Sequence, residues 1–148
     1  MPTKSLPVRV FIDGASRGNP GPAGVGAVFC DEQGKVLAEV SRYLGDATNN
    51  VAEYMALLYA LQEAQTRGWA QLAVHSDSEL LVKQLQGEYK VRDATLRVLY
   101  DLARANIRAL KQFTIMHVPR ERNAHADRLA GHAVSAHVRA LKHAAHAP

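Results

Sequence analysis

The chain has 148 residues, which is enough for one domain around a single hydrophobic core. Hydrophobic residues make up 47% and charged residues 22%, a globular composition without a membrane-length apolar run or an apolar secretion signal at the N-terminus. The single cysteine, Cys30, excludes an internal disulfide framework and a zinc site of several cysteines, and the net charge of +4 only mildly favours polyanionic partners. We therefore expect a cytoplasmic protein.

The first predicted element is a mostly apolar strand over residues 8–12, with Asp13 at its end. Residues 14–21 are predicted to form a loop of Gly, Ser, Asn and Pro, where a carboxylate and a closely approaching backbone can meet a hard metal ion. The glycines look at first like a phosphate-binding fingerprint. We reject that alternative because Pro20 and Pro22 interrupt them and a strand, not a helix, follows.

The rest of the chain alternates between the two hydrophobic periodicities. Further strands are predicted at residues 24–31, 35–43, 71–76 and 113–118, and helices at 50–67, 77–86, 93–111 and 123–141. In the first helix the spacing predicts a core-facing stripe of Val51, Met55, Leu58 and Leu61. Short connections favour antiparallel pairing and helical connections favour parallel pairing. The predicted fold class is α/β, a five-stranded mixed sheet of three antiparallel and two parallel strands, in one domain over residues 1–141 with a flexible tail at 142–148.

Four carboxylates fall at strand ends or in the first turns of helices: Asp13, Glu53, Asp77 and Asp127. If they met at one edge of the sheet they would repel one another unless cations neutralised them, and oxygen ligands alone select Mg²⁺ or Mn²⁺. Two such ions roughly 4 Å apart suit phosphodiester hydrolysis. The alternative is structural, because residues 50–53 and 76–79 both have the pattern of a capping box. Periodicity alone does not show that the four acids converge.

The acids lie in four sequence blocks. The blocks are Asp13-Gly-Ala-Ser-Arg-Gly-Asn-Pro-Gly-Pro-Ala-Gly, Thr48-Asn-Asn-Val-Ala-Glu53, Ser76-Asp77-Ser78 and Asn123-Ala-His-Ala-Asp127-Arg-Leu-Ala. In sequence and order they resemble the blocks of the type 1 ribonuclease H family. The first two blocks are specific, whereas Ser-Asp-Ser alone is weak, and together the resemblance extends over residues 8–134. It implies the same mixed sheet as the periodicity.

The resemblance implies an endonuclease that cuts the RNA strand of RNA–DNA hybrids, leaving 5′-phosphate and 3′-hydroxyl ends, in primer or R-loop removal. It implies two Mg²⁺ ions, with Mn²⁺ as a substitute, held by the four acids, with Asp13 shared between the ions. It also implies substrate contacts from Asn19, Asn49 and Asn50 to backbone and 2′-hydroxyl groups and from Thr48 to a DNA phosphate. An amide side chain suits a 2′-hydroxyl, which is both a donor and an acceptor.

The chain departs from the family pattern in three places. Residues 86–93 are short where many relatives insert a basic, Trp-containing protrusion, so the grip on substrate must come from Lys90, Arg92 and Arg97 or from the C-terminal Arg/His segment. Arg120 lies nearest the position of a mobile-loop histidine, where we expect a phosphate contact or a role in product release. Asp46 stands where relatives with a strong DNA-phosphate pocket carry Arg.

Three alternatives stay open at this point. A relative of broader specificity would also cut double-stranded RNA, which the missing protrusion allows. A DNA-strand-transfer enzyme shares the fold but usually has three acids and additional domains, whereas this chain has four acids and 148 residues. A non-catalytic hybrid-binding module would have no reason to keep a repulsive acidic cluster. We favour a monomeric ribonuclease H.

Overall fold

The computed structural model describes residues 6–145. The strands are β1 (Val8–Ser16), β2 (Gly21–Cys30), β3 (Val36–Ala47), β4 (Gln71–Ser76) and β5 (Gln112–His117). The helices are α1 (Asn49–Arg67), α2 (Glu79–Leu85), α3 (Ala94–Arg108) and α4 (Ala124–Ala145), with a 3₁₀ turn at Arg120–Arg122. Within this range no helix has the length and hydrophobicity needed to span a membrane.

The five strands form one mixed sheet in the order β3-β2-β1-β4-β5. β2 pairs antiparallel with β1 and β3, while β4 pairs parallel with β1 and β5. The turn between β2 and β3 is stabilised by the Asp31 carboxylate, which accepts hydrogen bonds from the amides of Gln33 and Lys35, both at 2.9 Å. The long connection through α1 explains the parallel pairing of β1 and β4. The predicted fold class is confirmed.

The main core lies between the sheet and α1–α3, and it differs from the predicted stripe on α1. The buried face of α1 is rich in alanine, with Ala52, Ala56 and Ala60 fully buried. Of the predicted stripe only Leu61 is buried; the other three side chains flank the core and are partly exposed. Alanine scores low in a hydrophobic pattern, yet it lets a helix backbone come close to a sheet, so the predicted stripe lies at the edge of the buried face and not at its centre.

Several predicted boundaries were also wrong. β1 continues through Asp13 to Ser16 and pairs with β2 up to Ala23, so residues 14–16 belong to a strand and not to a loop. α2 begins at Glu79, two residues after the predicted start. α4 continues to Ala145, so the tail boundary predicted after residue 141 lies inside a helix, and residues 146–148 lie outside the described range.

α4 packs closely on the other face of the sheet through small residues. A Cβ atom at Gly26 of β2 would overlap the carbonyl oxygen of Ala126 and lie 2.8 Å from the amide nitrogen of Ala130. Ala126 and Ala130 are themselves fully buried. The first turns of α4 are therefore in direct contact with the backbone of β2, and this contact fixes where Asp127 lies.

We predict that Gly26→Ala destabilises the protein by about 2–3 kcal/mol, because α4 must move away from the sheet to admit the methyl group. Gly131→Ala is the matched control, since Gly131 lies in α4, the helix that packs on Gly26, and a Cβ atom there meets nothing within 4 Å. That change should stabilise the protein by about 0.5–1 kcal/mol through helix propensity. Urea unfolding of both variants measures the difference, and equal effects would contradict the packing argument.

Candidate active site

Asp13, Glu53 and Asp77 meet at one point of the sheet. Asp13 lies within β1, and Asp77 directly follows β4, whose last residue Ser76 is in register with Ile12. One carboxylate oxygen from each of the three acids lies within 4.8 Å of the others, an arrangement able to hold a metal ion. Asp127, in the first turn of α4, lines the same cleft, and its carboxylate contributes to raising the pKa of Asp13. All four predicted acids therefore converge.

Glu53 is held by the backbone of β1 and not by a capping box. Its Oε1 accepts a hydrogen bond of 2.6 Å from the amide of Gly14, so its partner lies in β1 and not at the start of its own helix as the capping-box alternative required. Thr48 caps α1 instead, accepting from the amide of Val51 at 3.2 Å. A Cβ atom at Gly14 would overlap the backbone of Ala52, so glycine is required for α1 to approach this closely.

The second predicted capping box is also wrong. Ser78 is the N-cap of α2, and its hydroxyl accepts from the amide of Leu81 at 3.2 Å. Ser76 is fully buried, and its hydroxyl accepts from the amide of Ser78 at 3.0 Å. The Ser76-Asp77-Ser78 block thus forms a turn that holds Asp77 beside β1.

Asn123 is a positioning residue that the sequence analysis did not single out. It is 1% exposed, and its Nδ2 donates to the carbonyl oxygen of Ile12 at 2.8 Å. Its own carbonyl accepts from the amide of Asp127 at 3.0 Å. Asn123 therefore ties the start of α4 to the residue before Asp13. The only signal in the sequence is the spacing of four, one helical turn, between Asn123 and Asp127.

Burial and like charge raise the pKa of two of the acids. Burial is the main cause that raises the pKa of Asp13 to about 9, and the carboxylates of Glu53, Asp77 and Asp127 add to it. Burial also raises the pKa of Glu53 to about 8, although the Gly14 amide and the Arg120 guanidinium oppose the shift. Without cations, the cluster therefore retains protons at neutral pH. Bound cations would displace those protons.

The acids lie in an open cleft of about 310 Å³. Besides the four carboxylates, three polar side chains line it: Asn49, His117 and Arg120. Arg120 thus lies where a phosphate next to the acids can reach it. His117 was not predicted as a site residue. It lines the cleft because it ends β5 and pairs there with Ser76, the residue before Asp77. His125 is not among the residues that line the cleft, and its ring contacts Glu39 of β3.

The other predicted substrate residues line a second depression of about 610 Å³ at the start of α1. Asn19, Thr48 and Asn50 lie there, together with the carboxylates of Asp46 and Asp93. Asn19 and Asn49 are linked, because the Asn19 Oδ1 accepts from the Asn49 amide at 3.0 Å. The four residues therefore divide between two adjoining depressions, three in this one and Asn49 in the acidic cleft.

We predict that the metal-free protein loses stability as the pH rises. The unfolded carboxyls titrate near their ordinary values of 3.8 and 4.5, whereas the folded ones titrate near 9 and 8, so the folded chain binds the extra protons between these limits. The stability from these groups is therefore fully present below about pH 4 and is lost as the pH rises through 8 and 9. Thermal unfolding in EDTA from about pH 5 to pH 9 measures the slope.

Asp13→Asn should flatten this pH dependence and raise the unfolding midpoint at alkaline pH by a few degrees, or about 1–2 kcal/mol, since it removes one buried carboxylate. Glu32→Gln is the control, because Glu32 is exposed in the turn after β2. Parallel curves for wild type and Asp13→Asn would contradict the assignment.

Comparison with known proteins agrees with this geometry. A family model described as "Reverse transcriptase-like" matches residues 11–133. Ribonuclease HI of Halobacterium salinarum is 42% identical over 133 residues, which cover 90% of this chain and 67% of that protein. "Bifunctional protein Rv2228c" of Mycobacterium tuberculosis is 45% identical over 132 residues, which cover 88% of this chain. This chain spans only 36% of the length of that mycobacterial relative.

Two solved structures give the same result. RNase H1 from the archaeon Halobacterium salinarum superimposes with a TM-score of 0.85 at 42% identity, covering 88% of this chain and 98% of the other. LC11-RNase H1 in complex with an RNA/DNA hybrid also gives 0.85, at 41% identity, covering 88% and 99%. Because sequence and fold match over nearly the whole chain, the chain belongs to the type 1 ribonuclease H family.

Proposed function

We propose that this protein is an endoribonuclease that hydrolyses the RNA strand of RNA–DNA hybrids, leaving 5′-phosphate and 3′-hydroxyl ends. The observation that carries the proposal is the convergence of Asp13, Glu53 and Asp77 within 4.8 Å in an open cleft that Asp127 also lines. The name of the Halobacterium relative, ribonuclease HI, and the hybrid bound in the LC11-RNase H1 structure support it.

The cluster fits a pair of hard divalent cations. Its donors are carboxylate oxygens, which favour Mg²⁺ or Mn²⁺ over softer metals. Burial and neighbouring carboxylates raise the pKa of Asp13 and of Glu53, and a pair of bound cations would counteract that effect by stabilising the ionised carboxylates. We propose two Mg²⁺ ions held by the four acids, with Asp13 shared between them. Bound there, they would supply the Lewis-acid charge that activates a water and stabilises the leaving oxygen.

The protein's own residues supply positioning and electrostatics. The Gly14 amide fixes the Glu53 carboxylate, and Asn123 fixes the helix that carries Asp127, so little reorganisation is needed during the reaction. Arg120 presents a guanidinium to the same cleft, where its donors suit the oxygens of the scissile or the adjacent phosphate. We therefore assign Arg120 to phosphate contact during cleavage and product release.

We assign recognition of the 2′-hydroxyl groups to Asn19, Asn49 and Asn50. The Asn49 Oδ1 accepts from the Ser16 amide at 2.9 Å, so its acceptor is used within the protein and its NH₂ donors are assigned to the substrate. Thr48 lies at the start of α1, where its backbone and hydroxyl suit a phosphate. Asp46 and Asp93 in the same depression weaken selection of a DNA strand through its phosphates. This observation favours double-stranded RNA as a second substrate.

We further propose a monomeric, cytoplasmic enzyme that acts in primer or R-loop removal. The buried, unpaired thiol of Cys30 suits a reducing compartment.

Asp13→Asn should lower the cleavage rate by about three orders of magnitude or more while hybrid binding persists, because several kcal/mol of metal-derived stabilisation are lost. The assay uses a strand-labelled hybrid with Mg²⁺, with Mn²⁺ and with EDTA, beside matched RNA–RNA and DNA–DNA duplexes. On the hybrid, wild type should cut only the RNA strand and only with metal. Glu32→Gln should behave as wild type, and metal-dependent turnover by Asp13→Asn would overturn the ligand assignment.

Arg120→Ala should lower kcat by about ten- to a hundredfold, as expected for loss of a charged contact to the reacting phosphate, and Arg120→Lys should recover part of it. Arg122→Ala is the matched control, since Arg122 belongs to the same 3₁₀ turn but does not line the cleft. Steady-state kinetics on the hybrid separates the two variants. Equal activity of Arg120→Ala and Arg122→Ala would remove Arg120 from the mechanism.

A further inference from the structure

α4 carries a basic surface that begins at the acidic cleft. Asp127 lies in its first turn, and no Asp or Glu follows in the helix up to Ala145. Three permanent cations lie beyond it: Arg128, Arg139 and Lys142. All three side chains are exposed. An ordinary solvated helix face usually mixes charges of both signs, so this uniform sign needs a reason.

The three cations share one face of α4. At about 100° per residue they fall within an arc of about 60°, and Ser135 lies between them. The opposite face consists of buried residues that pack on the sheet: Ala126, Ala130, Ala133 and Val134. The cations are therefore the part of α4 that is presented away from the protein core. We call Arg128, Arg139 and Lys142 the α4 basic face.

The middle of the α4 basic face adjoins the turn that carries Asn19. Arg17, in the turn between β1 and β2, donates from Nη2 to the Ser135 hydroxyl at 2.5 Å and to the Gly131 carbonyl at 3.2 Å. His137 stacks on Tyr43 of β3, with ring centroids 3.7 Å apart. The helix thus runs along β3, from the contact of His125 with Glu39 to that of His137 with Tyr43, and passes the β1–β2 turn. The basic face therefore extends away from the acidic cleft past that turn.

Three basic residues of α2 and α3 have partners within the protein. Arg97 pairs with Asp101 at 3.1 Å, and Arg104 donates to the Leu85 carbonyl at 3.3 Å. Lys83 pairs with Glu79 at 2.9 Å. In contrast, within residues 6–145 the cations of the α4 basic face form no ion pair. Their charge is therefore available to an external anion.

We propose that the α4 basic face binds backbone phosphates of the nucleic-acid duplex beyond the cleft. From Arg128 to Lys142 the helix rises about 21 Å, which corresponds to about six base pairs of duplex. A regular series of phosphates matches a line of exposed cations with no acid among them. This inference rests on the proposed function, because the acidic cleft sets where the duplex lies.

The test compares Arg139→Gln/Lys142→Gln with Arg108→Gln/Lys111→Gln, both in the Asp13→Asn background so that binding is measured without cleavage. Each pair removes one arginine and one lysine, and the control residues are exposed at the end of α3 and the start of β5. Binding to labelled hybrids of about 20 and about 8 base pairs, the shorter closed by a loop, is measured by anisotropy over a range of salt concentrations.

On the long hybrid the α4 variant should bind about tenfold more weakly at 0.1 M salt, and its log Kd against log salt slope should fall by about 1.4–1.8, as for two lost phosphate contacts. The short hybrid and the control variant should show no such change. Arg139→Lys/Lys142→Arg keeps the charges and should bind as the parent. Unfolding midpoints equal to the parent's verify that α4 is intact.

Equal affinities for all variants, or equal losses in both glutamine pairs, would overturn the inference, the latter because net charge alone would then explain the effect. Cleavage of the hybrid by wild type tests the proposed function separately. A chain that binds but does not cleave would fail that proposal while still reporting on the α4 basic face.

Discussion

The carboxylate of Asp13 is 5% exposed and has three other carboxylates around it, although burial and like charge both oppose its ionisation. The position is tolerated because the acids are attached to the best-packed elements of the fold. Asp13 follows Val10 and Ile12, both fully buried in β1. The carboxylates could move apart only if β1, β4 or α4 moved, and such a movement would disrupt the packing of the core. The packing of the sheet thus holds the carboxylates close together, and when ionised they create a negative potential that would favour bound cations.

Close approach of two helix backbones to the sheet brings the four acids together. Asp13 and Asp77 lie on neighbouring strands, but Glu53 and Asp127 lie on helices from opposite faces of the sheet. Helices packed at ordinary distances would hold their first turns too far from β1. The glycines at positions 14 and 26 let α1 and α4 contact the strand backbones directly, and the alanines of both helices complete that contact. The same small residues that make the core dense therefore set the geometry of the acids.

Much of this arrangement could be predicted from the sequence, and the failures have specific causes. Periodicity located every strand and helix, and β4 at Gln71–Ser76 to the residue, because each element has a clear hydrophobic pattern. β1 was predicted to end at Asp13 because Gly14 and Ser16 are poor strand formers, yet pairing with β2 keeps them extended. Glu53 fitted a capping box locally, but its partner is the Gly14 amide, 39 residues away, which no local pattern contains. Convergence of the acids came only from family resemblance, since it depends on tertiary contacts.

The distribution of charge matters more than its total. A net charge of +4 is too small to define a partner, and the cleft itself is acidic, as is the depression that holds Asp46 and Asp93. If the cleft binds cations and a phosphate as proposed, the cations would offset the repulsion between the phosphate and the carboxylates. Binding of metal and of nucleic acid would then be mutually favourable, with the same coupling free energy in both directions. Arg120 stands inside this coupled region, whereas Arg139 and Lys142 lie outside it. On the two proposals together, contacts at the cleft would depend on metal, whereas contacts along α4 would depend only on salt.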